Sequence, residues 1–422
     1  MEKVPFIDLF CGAGGLSVGF EMAGFNSIFA NDYDVHACTT YQANHPHSKV
    51  HVGDVKDVDA DLIARSTVFS TVSLIIGGPN CQGVSLRGKR DPNDPKNQMF
   101  YHFVRLLKEL KPRWFVMENV PGLLHRQNRE LLADIFKEFN SIGYKCGGEV
   151  LSAVDYGVPQ LRYRFLVIGN LEGKDIYFPN PTHEMPQFVD GEHIFSSDSL
   201  KRWNTAYDAI GDLRPVENGC GDEFSSYQKG AKVTEFQRHC RGNNIGVYNH
   251  VCHKTPPHNI GLIKHIPPGG NWKCIPEPLR PSRFQRVALK DHTTTFGRLR
   301  WDMASRTITT YFNNISSGAF THPEQHRGIT VREGARFQSF PDSFRFYGPL
   351  AKQYRQVGNA VPPLMVKQVA TVVLNQMNNA LDFSSVHKAS VSYDEKKDCI
   401  VIERPLQGMR FNLDKYLVRR AQ

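Results

Sequence analysis

The first 170 residues alternate short apolar runs with segments of helical periodicity, and this alternation constrains the fold more than any other feature. "VPFIDLF" at 4–10, "FNSIFAND" at 25–32, "SKVHVGDV" at 48–55, "VSLIIGG" at 72–78, "RWFVMENV" at 113–120 and "YRFLVIGN" at 163–170 read as strands. Between them, Gln98–Leu110 sets Phe100, Phe103, Leu106 and Leu107 on one face, and Asn128–Phe139 does the same with Leu131, Leu132, Ile135, Phe136 and Phe139. Apolar residues at i, i+3 and i+4 line one side of a helix. Gly15–Ala23 and Val35–Ala43 read as further helices. Strands alternating with helices predict an α/β fold, a doubly wound, mainly parallel sheet with helices on both faces.

From about Asp175 the periodicity fades, and Pro, Gly, His and Asn crowd in, as in "HKTPPHNIGLIKHIPPGGNW". A segment so rich in breakers predicts an irregular or β-rich second, smaller domain rather than more of the sheet. Helical pattern resumes after Arg300, in "TVREGARFQSFPD" and "RQVGNAVPPLMVKQVATVVLNQM". The expected organisation is a catalytic and cofactor-binding domain at 1–174, an inserted region at 175–300, a return to the first domain at 301–380, and a polar extension at 381–422 without an assignable role. A chain of 422 residues is long enough for this.

Composition narrows the function classes. No run of about 18 apolar residues occurs, so no transmembrane helix is expected. The segment after Met1 lacks the pattern of a secretory signal, which predicts a cytoplasmic protein. The nine cysteines include no CxxC pair, so neither a zinc ribbon nor a thioredoxin-type motif is present. His239, Cys240, His250, Cys252 and His253 cluster in sequence, but their spacing fits no common zinc pattern, and no metal is expected. A net charge of +9 is compatible with nucleic acid without requiring it.

In open parallel sheets, ligands bind beyond the carboxyl ends of the strands, and the chemistry-bearing residues fall there. After the first strand, "DLFCGAGG" places Gly12, Gly14 and Gly15 in a turn into a helix. It lacks the Gly-Lys-Ser/Thr of a phosphate-binding loop and does not complete GxGxxG. Close backbone approach of a nucleoside-type ligand is its natural use. Asp32 ends the second strand, where a carboxylate accepts from ribose hydroxyls. Asp54 ends the third, within reach of an adenine amino group. Either aspartate could instead cap a helix; together with the glycine turn they favour an adenosine-containing cofactor. Cys81 follows the fourth strand in "GGPNCQGVS" and Glu118 ends the fifth. A thiol and a carboxyl group sharing a cleft suggest nucleophilic addition with acid assistance. The alternative is a small buried cysteine and an ordinary salt-bridge glutamate.

The ordered set "DLFCGAGG", "GGPNCQGVS", "MENVPGL", "QLRYR", "RTITT", "REGARFQSFPDSF" and "QVGNAVPP" resembles the DNA (cytosine-5)-methyltransferases, over Val4–Gly169 and Trp301–Gln376. The resemblance implies an S-adenosylmethionine-binding domain plus a target-recognition domain at 175–300. It implies that a cytosine is flipped from the duplex, that Cys81 adds to its carbon 6, and that Glu118 hydrogen-bonds ring nitrogen 3. Arg162 and Arg164 would lie near the base, with Arg164 on the carbonyl oxygen, and Asn119 would orient the pocket. The cofactor side would comprise Phe10, Gly12, Gly14, Gly15, Asp32, Tyr33, Asp54, Pro79, Asn359 and Val361, with Tyr33 stacked on adenine. Ser85, Arg87, Lys89 and Arg90 would contact DNA from a polar loop, and Arg283, Arg286 and Arg298 from the recognition region.

One departure is Asn80, where most members carry proline; it keeps a carbonyl and loses φ rigidity. The expected partner is double-stranded DNA, read by a monomer of prokaryotic or phage type that works alongside a restriction endonuclease. The alternatives are a transfer-RNA cytosine-5 methyltransferase and a catalytically weak DNA-binding relative, with a nicotinamide oxidoreductase the weakest reading.

Overall fold

Residues Val4–Leu9 form strand β1, in which Phe6 and Ile7 point to opposite sides and both are fully buried. The computed structural model describes residues 3–67, 72–79, 98–185, 187–189, 192–194, 197, 199–228, 230, 232–284 and 294–403. Their contacts divide them into two compact units, one from residues 1–155, 163–181 and 363–422 and the other from 156–162 and 182–362. Residues 301–362, which the sequence assigns to the catalytic domain, pack within the second unit.

The first unit is built on a nine-stranded sheet. After β1 come β2 (Phe25–Asp32), β3 (Lys49–Val52), β4 (Leu74–Gly77), β5 (Trp114–Asn119), β6 (Lys145–Ser152), β7 (Tyr163–Asn170), β8 (Val391–Asp394) and β9 (Cys399–Ile402). The spatial order is β9-β8-β6-β7-β5-β4-β1-β2-β3. Strands β3, β2, β1, β4 and β5 run parallel, so their carboxyl ends gather on one edge. Strand β7 lies antiparallel between β5 and β6.

Helices cover both faces. The Ile7 side packs against α4 (Gln98–Leu110) and α5 (Arg129–Ser141), whose expected apolar faces supply Phe103, Leu106, Leu107, Ile135, Phe136 and Phe139 to the core. Phe115 of β5 sits 4.4 Å from Phe139, centroid to centroid. Each such side chain contributes about 1.5–3 kcal/mol on burial. The Phe6 side packs against Phe20 of α1 (Gly15–Met22). Helix α1 in turn meets α6 (Pro363–Met377), so closely that a Cβ on Gly19 would come within 2.5 Å of Val366. Among the described residues no single helix is long and apolar enough to cross a membrane.

Strand β6 and the β8–β9 hairpin were not legible in the sequence. The two glycines in "KCGGEVLS" read as breakers, yet a Cβ on Gly147 would lie 2.6 Å from Ala389, and one on Gly148 2.7 Å from the Phe165 ring. They are glycines because neighbours press on the strand. The extension is no free tail: Val391 and Ile400 enter the main core. The buried Glu149 carboxylate of β6 accepts from the Ser390 N–H at 3.1 Å and the Ser390 hydroxyl at 2.5 Å.

The second unit is mixed rather than mainly β. It holds helices Ala206–Ile210, Glu235–Arg241, Pro257–Ile263, Val331–Phe337 and Leu350–Asn359 beside short two-stranded pairs. Buried arginines organise it. Arg327 pairs with Glu333 through two bonds of 2.7 and 2.8 Å. Arg336 pairs with Asp342 at 2.5 Å and lies 3.3 Å from Asp212. Glu333 is also the N3 residue of a capping box with Thr330, which starts Val331–Phe337. Of the sequence cluster weighed for metal, His250 bonds Thr330 at 3.0 Å and the Arg214 carbonyl at 2.8 Å, and Cys240 is buried.

Arg327 and its neighbours hold the Glu333 carboxyl well below the usual carboxylate range, against the opposing effect of burial. Its pairing therefore stabilises the unit at neutral pH, and this contribution is lost as pH falls. Glu333→Gln leaves a buried guanidinium without its counter-charge and should cost about 3–5 kcal/mol at neutral pH. Urea denaturation measures this; a loss below about 1 kcal/mol would match an exposed pair and contradict the assignment.

Candidate active site

The glycine turn after β1 is held from β2. Asp32, at the end of β2, accepts the Gly12 N–H at 2.9 Å on one oxygen and the Asp34 N–H at 2.9 Å on the other. Burial raises its pKa, while these amide bonds act the other way. Gly12 and Gly14 take φ of +53° and +96°, and Phe10 also has a positive φ of 59°. The two glycines serve different ends. A Cβ at Gly14 would meet the His45 ring at 2.6 Å, whereas one at Gly12 meets nothing within 4 Å. The turn is therefore packed from beneath at Gly14 and open at Gly12, where a ligand can approach the backbone. Gly15 is the first residue of α1.

Beneath the turn runs a buried polar chain. Ser17 donates to Asp8 at 2.6 Å and lies 2.6 Å from the Tyr41 hydroxyl, which is 2.7 Å from Ser27. Burial pushes the Asp8 carboxyl up to about 8; the Ser17 bond opposes this, and the charges of Asp32 and Glu21 add to it.

Tyr33 follows Asp32 with 78% of its surface exposed, available for stacking. Asp54 caps the single 3₁₀ turn Val55–Asp57, accepting the Lys56 N–H at 3.0 Å. The sequence left capping and ligand binding as alternatives for Asp32 and Asp54. Both side chains do hold local backbone, and each carboxylate oxygen retains acceptor capacity beyond one amide. The exposed aromatic, the open glycine turn and two strand-end carboxylates fit an adenosine-containing group.

At the ends of β4 and β5 the chemistry changes. Glu118 of β5 and Arg164 of β7 form an ion pair, Arg164 Nε to Glu118 Oε1, at 2.6 Å, with side chains only 14% and 13% exposed. The antiparallel β5–β7 register, with Glu118 opposite Leu166, brings them together across 46 residues of sequence. Burial lowers the Arg164 pKa, and Glu118 opposes that. A Cβ on Gly78 would stand 2.9 Å from the second Glu118 oxygen, so only glycine lets the chain after β4 run this close. Asn119, buried, donates its amide to the Pro79 carbonyl at 3.2 Å, fixing the backbone that leads to Cys81.

Two of the expected site residues are buried and bond backbone carbonyls. Arg162 is 2% exposed and donates to the Ile308 carbonyl at 2.8 Å and the Gly358 carbonyl at 2.9 Å. It braces the backbone leading into Asn359, which is exposed, and Val361, which is buried. Arg298, expected at DNA, is 5% exposed. Its guanidinium donates to the carbonyls of Ile266 at 2.6 Å, Ile263 at 2.7 Å and His322 at 2.9 Å, so it knits loops of the second unit. A count of positive charges in sequence cannot separate a surface arginine from one that satisfies buried carbonyls. Cys81, Ser85, Arg87, Lys89, Arg90 and Arg286 lie outside the described residues, as does Asn80; Arg283 falls in the 3₁₀ turn Ser282–Phe284.

Known proteins carry the same framework. A family model, C-5 cytosine-specific DNA methylase, matches residues 4–375. The chain belongs to this family. The type II methyltransferase M1.HphI of Haemophilus parahaemolyticus is 35% identical over 380 residues, covering 89% of this chain and 88% of that protein. M.DdeI of Desulfomicrobium norvegicum is 36% identical, covering 86% of this chain and 87% of its own length. A crystal structure of a prophage-encoded E. coli protein described as a DNA modification methyltransferase superposes with a TM-score of 0.67 at 26% identity, covering 89% of this chain and all of that one. The methylase is thus a DNA cytosine-5 methyltransferase with S-adenosylmethionine as its cofactor, as the motif order implied.

The raised Asp8 pKa carries a pH prediction. The folded chain keeps a proton that the unfolded chain, with an ordinary value of 3.8, has released. Stability from this site is full at low pH and falls as pH rises toward about 8. Asp8→Asn keeps an acceptor for Ser17 and removes the titration. Its melting temperature relative to wild type should therefore climb from about pH 5 to about pH 8, and a flat difference would contradict a neutral buried Asp8.

Proposed function

We propose that Cys81 is the nucleophile of this methylase, acting on a flipped cytosine within one specific double-stranded DNA sequence. The observation that carries the reading is the Glu118–Arg164 pair beside Gly78, three residues before Cys81, with Asn119 tethering Pro79 between them.

The residues divide the work as follows. The thiolate of Cys81 forms a bond to carbon 6 and makes carbon 5 electron-rich. A hydrogen bond between ring nitrogen 3 and the Glu118 oxygen away from Arg164 stabilises the charge that develops there. Arg164, held by Glu118, offers its remaining N–H groups to the cytosine carbonyl oxygen. Its positive charge also favours the thiolate. When bound, S-adenosylmethionine would supply an electrophilic methyl group to carbon 5, its methyl–sulfur bond breaking to leave S-adenosylhomocysteine. Loss of the carbon 5 proton to solvent then returns the electron pair that expels the Cys81 thiolate from carbon 6.

Gly12, Asp32, Tyr33 and Asp54 hold the cofactor, with Tyr33 on the adenine face, Asp32 at the ribose and Asp54 at the adenine amino group. Phe10, Gly14, Gly15 and Pro79 complete that side. Ser85, Arg87, Lys89 and Arg90 approach the DNA backbone, and Arg283 and Arg286 serve the recognition region, 175–300. The type II names of its relatives support pairing with a restriction endonuclease of the same sequence specificity, whose cuts methylation would block. The enzyme works in the cytoplasm as a monomer.

Covalent trapping tests this. Duplex DNA carrying 5-fluorocytosine in varied contexts, mixed with protein and cofactor, should give an adduct that survives a denaturing gel, because fluorine blocks the final elimination. Cys81→Ala should abolish the adduct and methyl transfer while still binding S-adenosylmethionine. Turnover by Cys81→Ala, or transfer to RNA and not to DNA, would overturn the reading.

A further inference from the structure

The segment after β3 holds one short turn. Asp54 caps a single 3₁₀ turn, Val55–Asp57, and short 3₁₀ turns have weak internal hydrogen bonds. The Asp57 N–H donates to the Asp54 carbonyl at 3.0 Å and the Val58 N–H to the Val55 carbonyl at 3.2 Å, while the Gly53 N–H before the turn reaches the Asp32 carbonyl at 3.0 Å. Side-chain support for the turn's carbonyls comes from α4. Arg105 Nη2 donates to the Val58 carbonyl at 2.7 Å and to the Val55 carbonyl at 3.1 Å. Its Nη1 donates to Glu109, one helical turn on, at 2.9 Å, which fixes the direction of the guanidinium. Val55 and Val58 are themselves buried in the core that α4 also lines. The two valines set the depth of the turn, and the arginine sets its rotation about them. That rotation decides where the Asp54 carboxylate points.

We propose that Arg105 is a positioning residue for the cofactor, holding the Asp54 turn in the orientation that meets the adenine. The proposal rests on the reading of Asp54 as an adenine contact. Arg105 touches neither the cofactor nor the reacting atoms. Its side chain is 31% exposed, so its loss loosens one turn without emptying the core. Lysine cannot replace it fully, because it lacks the planar fork that sets one nitrogen on both carbonyls and a second on the Glu109 carboxylate.

The test is calorimetric titration of S-adenosylmethionine into the full chain, wild type beside Arg105→Met, Arg105→Lys, Asp54→Ala and the double variant Asp54→Ala/Arg105→Met. Arg105→Met should weaken cofactor binding by roughly five- to tenfold, the weight of about one ordinary hydrogen bond, and Arg105→Lys by less. Steady-state kinetics should show the loss in the cofactor KM, with kcat at saturating cofactor and the DNA KM unchanged. The double variant should bind no more weakly than Asp54→Ala alone, because orientation of an absent carboxylate has no value. If Asp54→Ala weakens binding and Arg105→Met does not, the proposal fails and the Asp54 reading survives. If Asp54→Ala binds normally, that reading fails and the proposal falls with it. Additive losses, or a fall in kcat alone, would make Arg105 merely structural. Should Arg105→Met melt well below wild type, Arg105→Lys carries the same comparison: a smaller loss confined to KM supports the proposal, and none overturns it.

Discussion

Strand β7 runs antiparallel between β5 and β6, and the pairing of Glu118 with Arg164 depends on that placement. A parallel strand in the same slot would send the residue aligned with Arg164 to the far edge of the sheet. The reversal delivers a guanidinium to the edge where β4 and β5 end, next to the carboxylate that ends β5. An ion pair this little exposed is costly to desolvate and survives only with good geometry. The absence of a side chain at Gly78 leaves room for the 2.6 Å contact. Holding a carboxyl group and a guanidinium rigidly at a strand end suits catalysis by preorganised charge, since little must rearrange when charge develops on a bound base.

The cofactor side obeys a different constraint. Here backbone, more than side-chain charge, is the material being shaped. Asp32 ties the glycine turn to the strand beside it, His45 packs under Gly14, and Arg105 secures the turn that carries Asp54. His45 and Arg105 sit behind the surface a ligand would touch. Support from behind lets that surface stay open at Gly12 and exposed at Tyr33. The same division appears in the second unit, where Arg298, Arg327, Arg332 and Arg336 turn inward. Arg332 donates to the carbonyls of Tyr248, Pro341 and Phe344, and burial brings its pKa down to about 10. Arginine in this unit is partly a structural residue that satisfies loop carbonyls regular secondary structure would otherwise pair.

The last described residues extend this logic past the family match, which ends at 375. Strands β8 and β9 add two strands to the β6 edge and bring Val391 and Ile400 into the core shared with α5. Ser390 donates through both its N–H and its hydroxyl to the buried carboxylate of Glu149. Helix α5 follows the segment after Glu118 and Asn119, so packing at this edge supports the chain that leaves the candidate active site.

Local pattern sufficed for much of this. Apolar periodicity marked α4 and α5 closely, and β1, β2, β5 and β7 within a residue or two, because each buries a face or a run long enough to leave a signature. The order of motifs along the chain named the family and its cofactor. Periodicity could not reveal β6, whose glycines answer to Ala389 and Phe165, or the hairpin, whose short strands are half exposed. Nor could it tell which cations face inward. Arg162, Arg164 and Arg298 look alike in sequence; one braces backbone, one pairs with Glu118 and one knits loops. Sequence determined which chemistry the chain carries, because residue type and motif order are local facts. Tertiary structure decided which side chains meet and which brace backbone, because burial and partnership depend on contacts between segments far apart in the chain.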